Sequence, residues 1–214
     1  MLKNKIVIVF GGAGSIGSAL CRKLVEHKPK TLLIYDNNET GLFDIYEELK
    51  DKCKVEPILG SIRDEKNLDE IFNKYRPEIV FHGAAYKHVV MCEKWPMEAY
   101  KTNIFGTINI SDMAQKYGVK KFIFISSDKA TGKPKSVMGK TKKKGEEICI
   151  KANGKTKFIV VRFGNVMASR GSVLEIWQRQ FNKGESLTIT DPEMERYMMT
   201  IPEACKLVID AAED

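Results

Sequence analysis

The five cysteines of this 214-residue chain, Cys21, Cys53, Cys92, Cys149 and Cys205, include no C-x-x-C pair. An odd count without paired spacing excludes a disulfide framework and predicts free thiols in a reducing cytosol. Zinc-ligand spacing is missing too, so no metal site is expected. No apolar run approaches the roughly 18 residues that a membrane helix needs. No secretory signal opens the chain, because strand-like residues begin at Ile6. The expectation is a soluble, cytoplasmic protein with no membrane contact. Internal repeats, low-complexity tracts and linkers are also absent, and the length suits one domain.

The net charge is +7, which raises nucleic acid as a partner. No aromatic-interleaved basic motif supports it. Much of the excess is local: Lys129, Lys133, Lys135, Lys140, Lys142, Lys143 and Lys144 crowd one stretch. Lys143 and Lys144 suit a solvated helix face. The remainder favours a small anionic ligand, such as a nucleotide diphosphate, over DNA.

What the chain does have is alternation. Apolar, β-rich runs occupy 6–10, 31–35, 55–59, 79–85, 121–127 and 158–163. Helical patterns fill 15–27, 42–50, 68–75, 102–118 and 139–152. Continuous apolar strands belong to a sheet covered on both faces. Strand–helix repetition predicts an α/β fold, a Rossmann-like doubly wound parallel sheet with helices on both faces. After about residue 171 the pattern loosens into one helix, a short "LTIT" (187–190) and "IPEACKLVIDAAE" (201–213).

"IVIVFGGAGSIGSAL" holds Gly11-x-x-Gly14-x-x-Gly17 between a strand and a helix, the context in which a glycine pattern carries meaning. Gly11 permits the tight turn, Gly14 leaves room for a pyrophosphate, and Gly17 lets helix and strand pack closely. Ser15 and Ile16 open the helix, whose N-terminus offers free N–H groups to phosphate. The bland alternative is a tight turn alone. Asp36 ends the second strand, where an acid accepts from ribose hydroxyls and repels a 2′-phosphate. Asn37 beside it is neutral, so NAD is preferred over NADP; a turn-forming Asp is the alternative. Gly83, Ala84 and Ala85 carry little or no side chain to block close approach. Ser127, Asp128 and Lys129 end a central strand, the edge at which ligands bind in such sheets. The sequence reads as one NAD-binding domain over 1–214, with 165–214 an incomplete substrate-binding portion.

The three-and-three glycine spacing is that of the short-chain dehydrogenase/reductase superfamily. "YDNNE", "RPEIVFHGAAYKHV", "NIFGT", "SSDKA", "VMGKTK", "VRFGNVMASRGSV" and "RYMMTIPEA" follow in order. Together they resemble the nucleotide-sugar 4,6-dehydratases of the polysaccharide-biosynthesis group, which act on UDP-N-acetylglucosamine. The resemblance implies an internal redox cycle in which NAD⁺ takes a hydride from C4 of the sugar and returns it to C6 as water is lost. It implies Lys129 as the C5 base, Asp128 as the C6 acid and Ser127 as a hydrogen-bond donor to O4. Lys142 would hold the nicotinamide ribose. The same resemblance implies that Gly83, Ala84 and Ala85 lie beside the cofactor, with Lys87 and His88 toward the substrate. A lysine base needs desolvation or a neighbouring cation to shed its proton, and a carboxylic acid needs a dry pocket to keep one. Asn103 matches a polar position that braces the site, a capping amide being the alternative. Asn165, Arg170, Ser172 and Arg196 would contact the sugar nucleotide. A homodimer is implied, through the helix around 100–117 and the one starting near Val137.

Two positions depart from the pattern. Met138 stands where the superfamily's tyrosine moves a proton, and a thioether cannot. Some dehydratases of the group carry Met there, whereas dehydrogenases and 4-epimerases lean on the tyrosine. Ser61, followed by Ile62, stands where an Asp commonly binds adenine. Family members also run about a hundred residues further, a domain-scale addition. An NAD-dependent epimerase or reductase, or a non-catalytic dinucleotide-binding module, are the alternatives.

Overall fold

Val, Ile, Leu and Phe dominate the six apolar runs, and branched and aromatic side chains suit a pleated surface covered on both sides. In the computed structural model, which describes residues 2–189 and 191–213, all six are strands. They are β1 (Ile6–Phe10), β2 (Thr31–Asp36), β3 (Val55–Leu59), β4 (Ile79–His82), β5 (Lys121–Ser127) and β6 (Lys157–Phe163). Their order is β3-β2-β1-β4-β5-β6, and every pairing is parallel. The strand order reverses between β1 and β4, which opens a crevice beyond the strands' C-terminal ends.

The crossovers are α1 (Ser15–Glu26), α2 (Glu39–Leu49), α3 (Glu65–Tyr75), α4 (Val89–Lys94), α5 (Pro96–Tyr100), α6 (Gly106–Lys116) and α7 (Val137–Ala152). Alternation along β1 feeds two cores. Val7 and Val9 join Leu20, Leu24 and Ile45 on one face; Ile8 and Phe10 join Phe72, Ile110 and Phe122 on the other. Burying each large apolar side chain contributes about 1.5–3 kcal/mol. Four cysteines are buried and Cys53 is partly so, all as free thiols. Among the described residues no helix is long and apolar enough to cross a membrane.

Beyond β6 come β7 (Asn165–Val166), α8 (Val173–Asn182), β8 (Met198–Met199) and α9 (Ile201–Glu213). α9 returns to pack on α1, β5 and β6 and places Ala204, Cys205, Val208, Ile209 and Ala212 in the first core. β7 and β8 pair with each other, while α8 buries none of its residues. Residues 165–213 are therefore of two kinds, a core helix and a segment outside the sheet. Leu187–Ile189 of "LTIT" forms no strand, and Thr190 lies outside the described residues. Instead Trp177 Nε1 donates to the Thr188 carbonyl at 2.9 Å, and Gln180 bonds the Thr188 backbone N–H and hydroxyl. Side chains of α8 thus take the partners a strand edge would have used.

The run 102–118 is not one helix. Lys101–Phe105 forms a wider π-helical turn ahead of α6. Two short helices, α4 and α5, precede it where the sequence suggested none. Their boundary is Trp95, whose backbone leaves the helical region (φ −129°, ψ 63°) ahead of Pro96 at the start of α5. Steric conflict with a following proline ring forces that departure, and proline at a first helical position lacks only an N–H that has no partner there.

Candidate active site

The turn after β1 needs a backbone that other residues rarely adopt. Gly11 sits at φ +79°, and a Cβ there would lie 2.7 Å from the Ala84 amide nitrogen. Gly17 rests directly on the Gly11 carbonyl. Gly14 begins α1 and no side chain caps it, so the first-turn N–H groups lack intrahelical acceptors and present the positive end of the helix dipole. A Cβ at Gly14 would approach only the Gly11 carbonyl, leaving its outer face open to a ligand. Two cavities meet over this turn, of about 540 and 370 Å³. They share Gly11, Gly14, Gly83, Ala85, Tyr86 and Arg170.

The smaller cavity lies over the ends of β2 and β3 and is lined by Asp36, Asn37, Ser61, Ile62 and Ala84. Asp36 accepts the Ala13 N–H on Oδ2 and the Asn38 N–H on Oδ1, each at 2.9 Å. That fixes the carboxylate and leaves lone pairs for hydroxyl donors. Arg63 also lines this cavity and was not anticipated. Its guanidinium is held by Glu98 Oε2 at 2.6 Å and Thr102 Oγ1 at 2.6 and 2.9 Å, and lies 5.7 Å from the Tyr86 ring. The available signal was its place just past the third strand.

The larger cavity runs from the glycine turn to the ends of β5 and β6. Ser15, Ile16, Gly17, Lys87, His88, Ser127, Lys129, Met138, Lys142, Asn165 and Ser172 line it. One 3₁₀ turn, Asp128–Ala130, follows β5. Lys129 Nζ donates to Asn165 Oδ1 at 2.9 Å and approaches Asp128 Oδ1 at 3.4 Å. Ser127 Oγ donates to the same Asp128 oxygen at 2.9 Å. Asp128 lines neither cavity; it stands behind Ser127 and Lys129 and touches both. Met138 is 4% exposed and packs with Cys92 and Ala99, so its side chain is at once cavity wall and core. Lys142, 7% exposed, donates to the Ile125 carbonyl at 2.8 Å and sits 5.0 Å from the Phe124 ring. Burial pulls its ammonium down to about 8, against Cys149 and Glu146, which push it up.

Asn103 also sits behind the cleft. Its Oδ1 accepts the Tyr86 N–H at 2.8 Å, and its Nδ2 donates to the Tyr86 carbonyl and to Thr141 Oγ1. The π-helical turn aims this amide, which fixes the loop beside the cofactor turn and ties it to α7. Such turns recur at functional sites.

Residues 167–172 strap the cleft. The Arg170 N–H donates to Ser15 Oγ at 3.0 Å, and Lys87 Nζ donates to Ser169 Oγ at 3.2 Å. Desolvation holds the Lys87 ammonium below the ordinary lysine range, with Glu175 opposing it. Gly171, at φ +67°, lies against the His88 ring, where a Cβ would meet Cε1 at 2.5 Å. Ser172 Oγ is shielded from solvent without a hydrogen-bond partner. Arg196 is not brought to either cavity; its guanidinium donates to the Glu195 carbonyl on the exposed approach to β8.

Comparison with known proteins agrees with this architecture. The chain is 42% identical over 216 residues to a probable polysaccharide biosynthesis protein, EpsC, of Bacillus subtilis, covering 98% of this chain and 36% of that protein. It is 36% identical to a UDP-glucose 4-epimerase of Rickettsia canadensis, covering all of this chain and 64% of the epimerase. It is 34% identical to an inverting UDP-N-acetylglucosamine 4,6-dehydratase of Campylobacter jejuni, with coverage of 100% and 65%. Among solved structures, Pen from Bacillus thuringiensis superposes with a TM-score of 0.94 at 37% identity, covering 100% of this chain and 66% of Pen. The chain thus spans 36% to 65% of the length of these curated relatives. The family model described as polysaccharide biosynthesis protein matches residues 7–214, and the chain belongs to that family.

Proposed function

We propose that this chain carries the cofactor half and the reactive floor of an NAD-dependent nucleotide-sugar 4,6-dehydratase. Its substrate would be a UDP-N-acetylglucosamine-type sugar and its product a 4-keto-6-deoxy sugar nucleotide for surface polysaccharide or glycan synthesis. The observation that carries the reading is the Lys129 ammonium, set between Asn165 and Asp128 at the end of β5 with Met138 where a proton-transferring tyrosine would stand. The residues present fit a dinucleotide. The Gly11–Gly17 turn would take the pyrophosphate and Asp36 the adenosine ribose. The Asp36 carboxylate disfavours a 2′-phosphate, and Arg63, engaged by Glu98 and Thr102, is not free to neutralise one.

When bound, NAD supplies the removal and return of a hydride. The chain's own groups do the rest. Ser127 hydrogen-bonds the sugar O4, and Lys142 orders the ribose beside it. A proton passed from Lys129 Nζ to Asp128 Oδ1, 3.4 Å away, leaves a neutral amine to take the proton from C5, made acidic by the 4-ketone, and a carboxylic acid to protonate the C6 hydroxyl so that water departs. Asp128 reaches the cleft through its contacts with Ser127 and Lys129. Lys87, Arg170 and Ser172 would meet the diphosphate end.

The similarity to a UDP-glucose 4-epimerase supports a second reading. Mass decides between them. Incubation with UDP-N-acetylglucosamine and NAD⁺ in D₂O is expected to give a product one water lighter, deuterated at C5. A product of unchanged mass would overturn the dehydratase reading; intact substrate with NAD demonstrably bound would overturn this substrate or this length of chain, and the same assay on a longer chain separates the two.

A further inference from the structure

One ion pair, between a buried carboxylate and a half-exposed guanidinium, has no part in the chemistry above. Glu146, on the inward face of α7, is 4% exposed. Its Oε1 accepts from Ser126 Oγ at 2.6 Å and from Arg162 Nε at 2.8 Å, and its Oε2 from Arg162 Nη2 at 2.6 Å. Ser126 and Arg162 are register partners across β5 and β6. One carboxylate therefore fastens α7 to two strands at once. With Arg162 half exposed, solvent screens the pair and limits what it adds to stability, so stability alone is a weak account of it.

Its position supplies a better one. Lys142 lies four residues earlier on the same helix face. Three consecutive residues of β5 then divide the work. The Ile125 carbonyl takes the Lys142 ammonium, the Ser126 side chain takes Glu146, and Ser127 opens the turn that presents Lys129. We propose that Glu146 is a positioning residue for Lys142: it sets the register of α7 on the end of β5 and supplies the negative charge that keeps the Lys142 ammonium charged at the cleft floor. The proposal rests on the dehydratase reading only for what Lys142 does in turnover.

The surrounding groups single out Glu146. Burial raises its carboxyl, but Arg162 and Ser126 outweigh burial and hold it below the usual carboxylate value. Burial pushes the Cys149 thiol up to about 12, so that thiol is neutral where Lys142 titrates. On β4, burial and Lys142 push His82 down to about 3, so it is neutral as well. Arg162 on β6 is bound to Glu146 and half exposed. Glu93 on α4 is bound by the Val137 N–H, Glu98 on α5 is paired with Arg63 and Lys101, and Asp112 on α6 stands beside Glu65. Lys129 is held by Asn165 and Asp128. Of the two groups that push Lys142 up, Cys149 and Glu146, Glu146 is the carboxylate.

The test is a pH titration of lysine-labelled protein by NMR, with Lys142→Met to assign the signal. In Glu146→Gln, which keeps the shape and loses the charge, the Lys142 midpoint is expected to fall by about one pH unit, and Glu146→Asp to restore most of it. Should the Gln variant fail to fold, Arg162→Gln reads the same coupling with opposite sign: removing the cation bound to Glu146 raises the midpoint. An unchanged midpoint in folded Glu146→Gln, or a midpoint that stays or falls in Arg162→Gln, overturns the proposal. The readout needs no turnover, so failure of the dehydratase reading would leave this one standing. In an active protein the alkaline limb of kcat/KM moves with the midpoint, whereas a merely structural role lowers activity at every pH alike.

Discussion

The sheet and the segment from β7 to β8 are built by opposite means. In the sheet, β1, β2, β4 and β5 bury almost every side chain, and position is enforced by close packing. In the outer segment α8 buries nothing, and Val173, Leu174, Ile176 and Phe181 are all exposed. Position there is enforced by isolated hydrogen bonds, such as Arg170 to Ser15 and Lys87 to Ser169. The difference separates two tasks. A preformed ligand cradle must hold one shape, and packed elements supply it. A surface over the cleft must admit and release a ligand, and sparse contacts allow that.

Substitutions can break this contrast. The largest effect is expected in the sheet. Phe122 is fully buried and lies 4.8 Å from the Phe158 ring, so Phe122→Ala should cost about 3–5 kcal/mol in urea unfolding. Next comes the cleft floor. Lys129→Met should lower turnover about a hundredfold or more and shift the unfolding midpoint little, which would separate the site's chemistry from the sheet's stability. The smallest effect belongs to the outer segment. Phe181, 72% exposed, replaced by Ser should change stability by no more than about 0.5 kcal/mol. A loss comparable to that of Phe122→Ala would show that α8 is packed after all and would erase the contrast.

The same contrast governs what could be read in advance. All six strands are visible in the sequence because double-sided burial leaves an unbroken apolar run. The glycine turn, Asp36 and the Ser127–Lys129 turn are visible because each sits where a strand ends. α4 and α5 are not, since helices of six and five residues are too short to show a period, although Trp95–Pro96 marked their junction. The wide turn at Lys101–Phe105 is hidden inside an ordinary helical pattern. Asp128 read as one of three adjacent site residues, yet the strand gives way to a 3₁₀ turn at this residue, and Asp128 lines neither cavity. The Ser15–Arg170 contact joins residues 155 apart, and nothing local announces it. Arg196 carried a motif, but the β7–β8 pairing leaves its guanidinium on the exposed side.

The parallel pairing of β1 with β4 has a consequence for the order of events during folding. Val7 pairs with Ile79, and Gly11 closes against Gly83 and Ala84, so the cradle is assembled from pieces more than seventy residues apart. Parallel neighbours cannot be joined by a tight turn, and contacts of such sequence separation form late because their loop-closure entropy must be met first. A chain emerging from the ribosome would have made its glycine turn and α1 long before it could hold a dinucleotide. A ligand that needs both sides of this turn would therefore report that the two halves of the sheet have met.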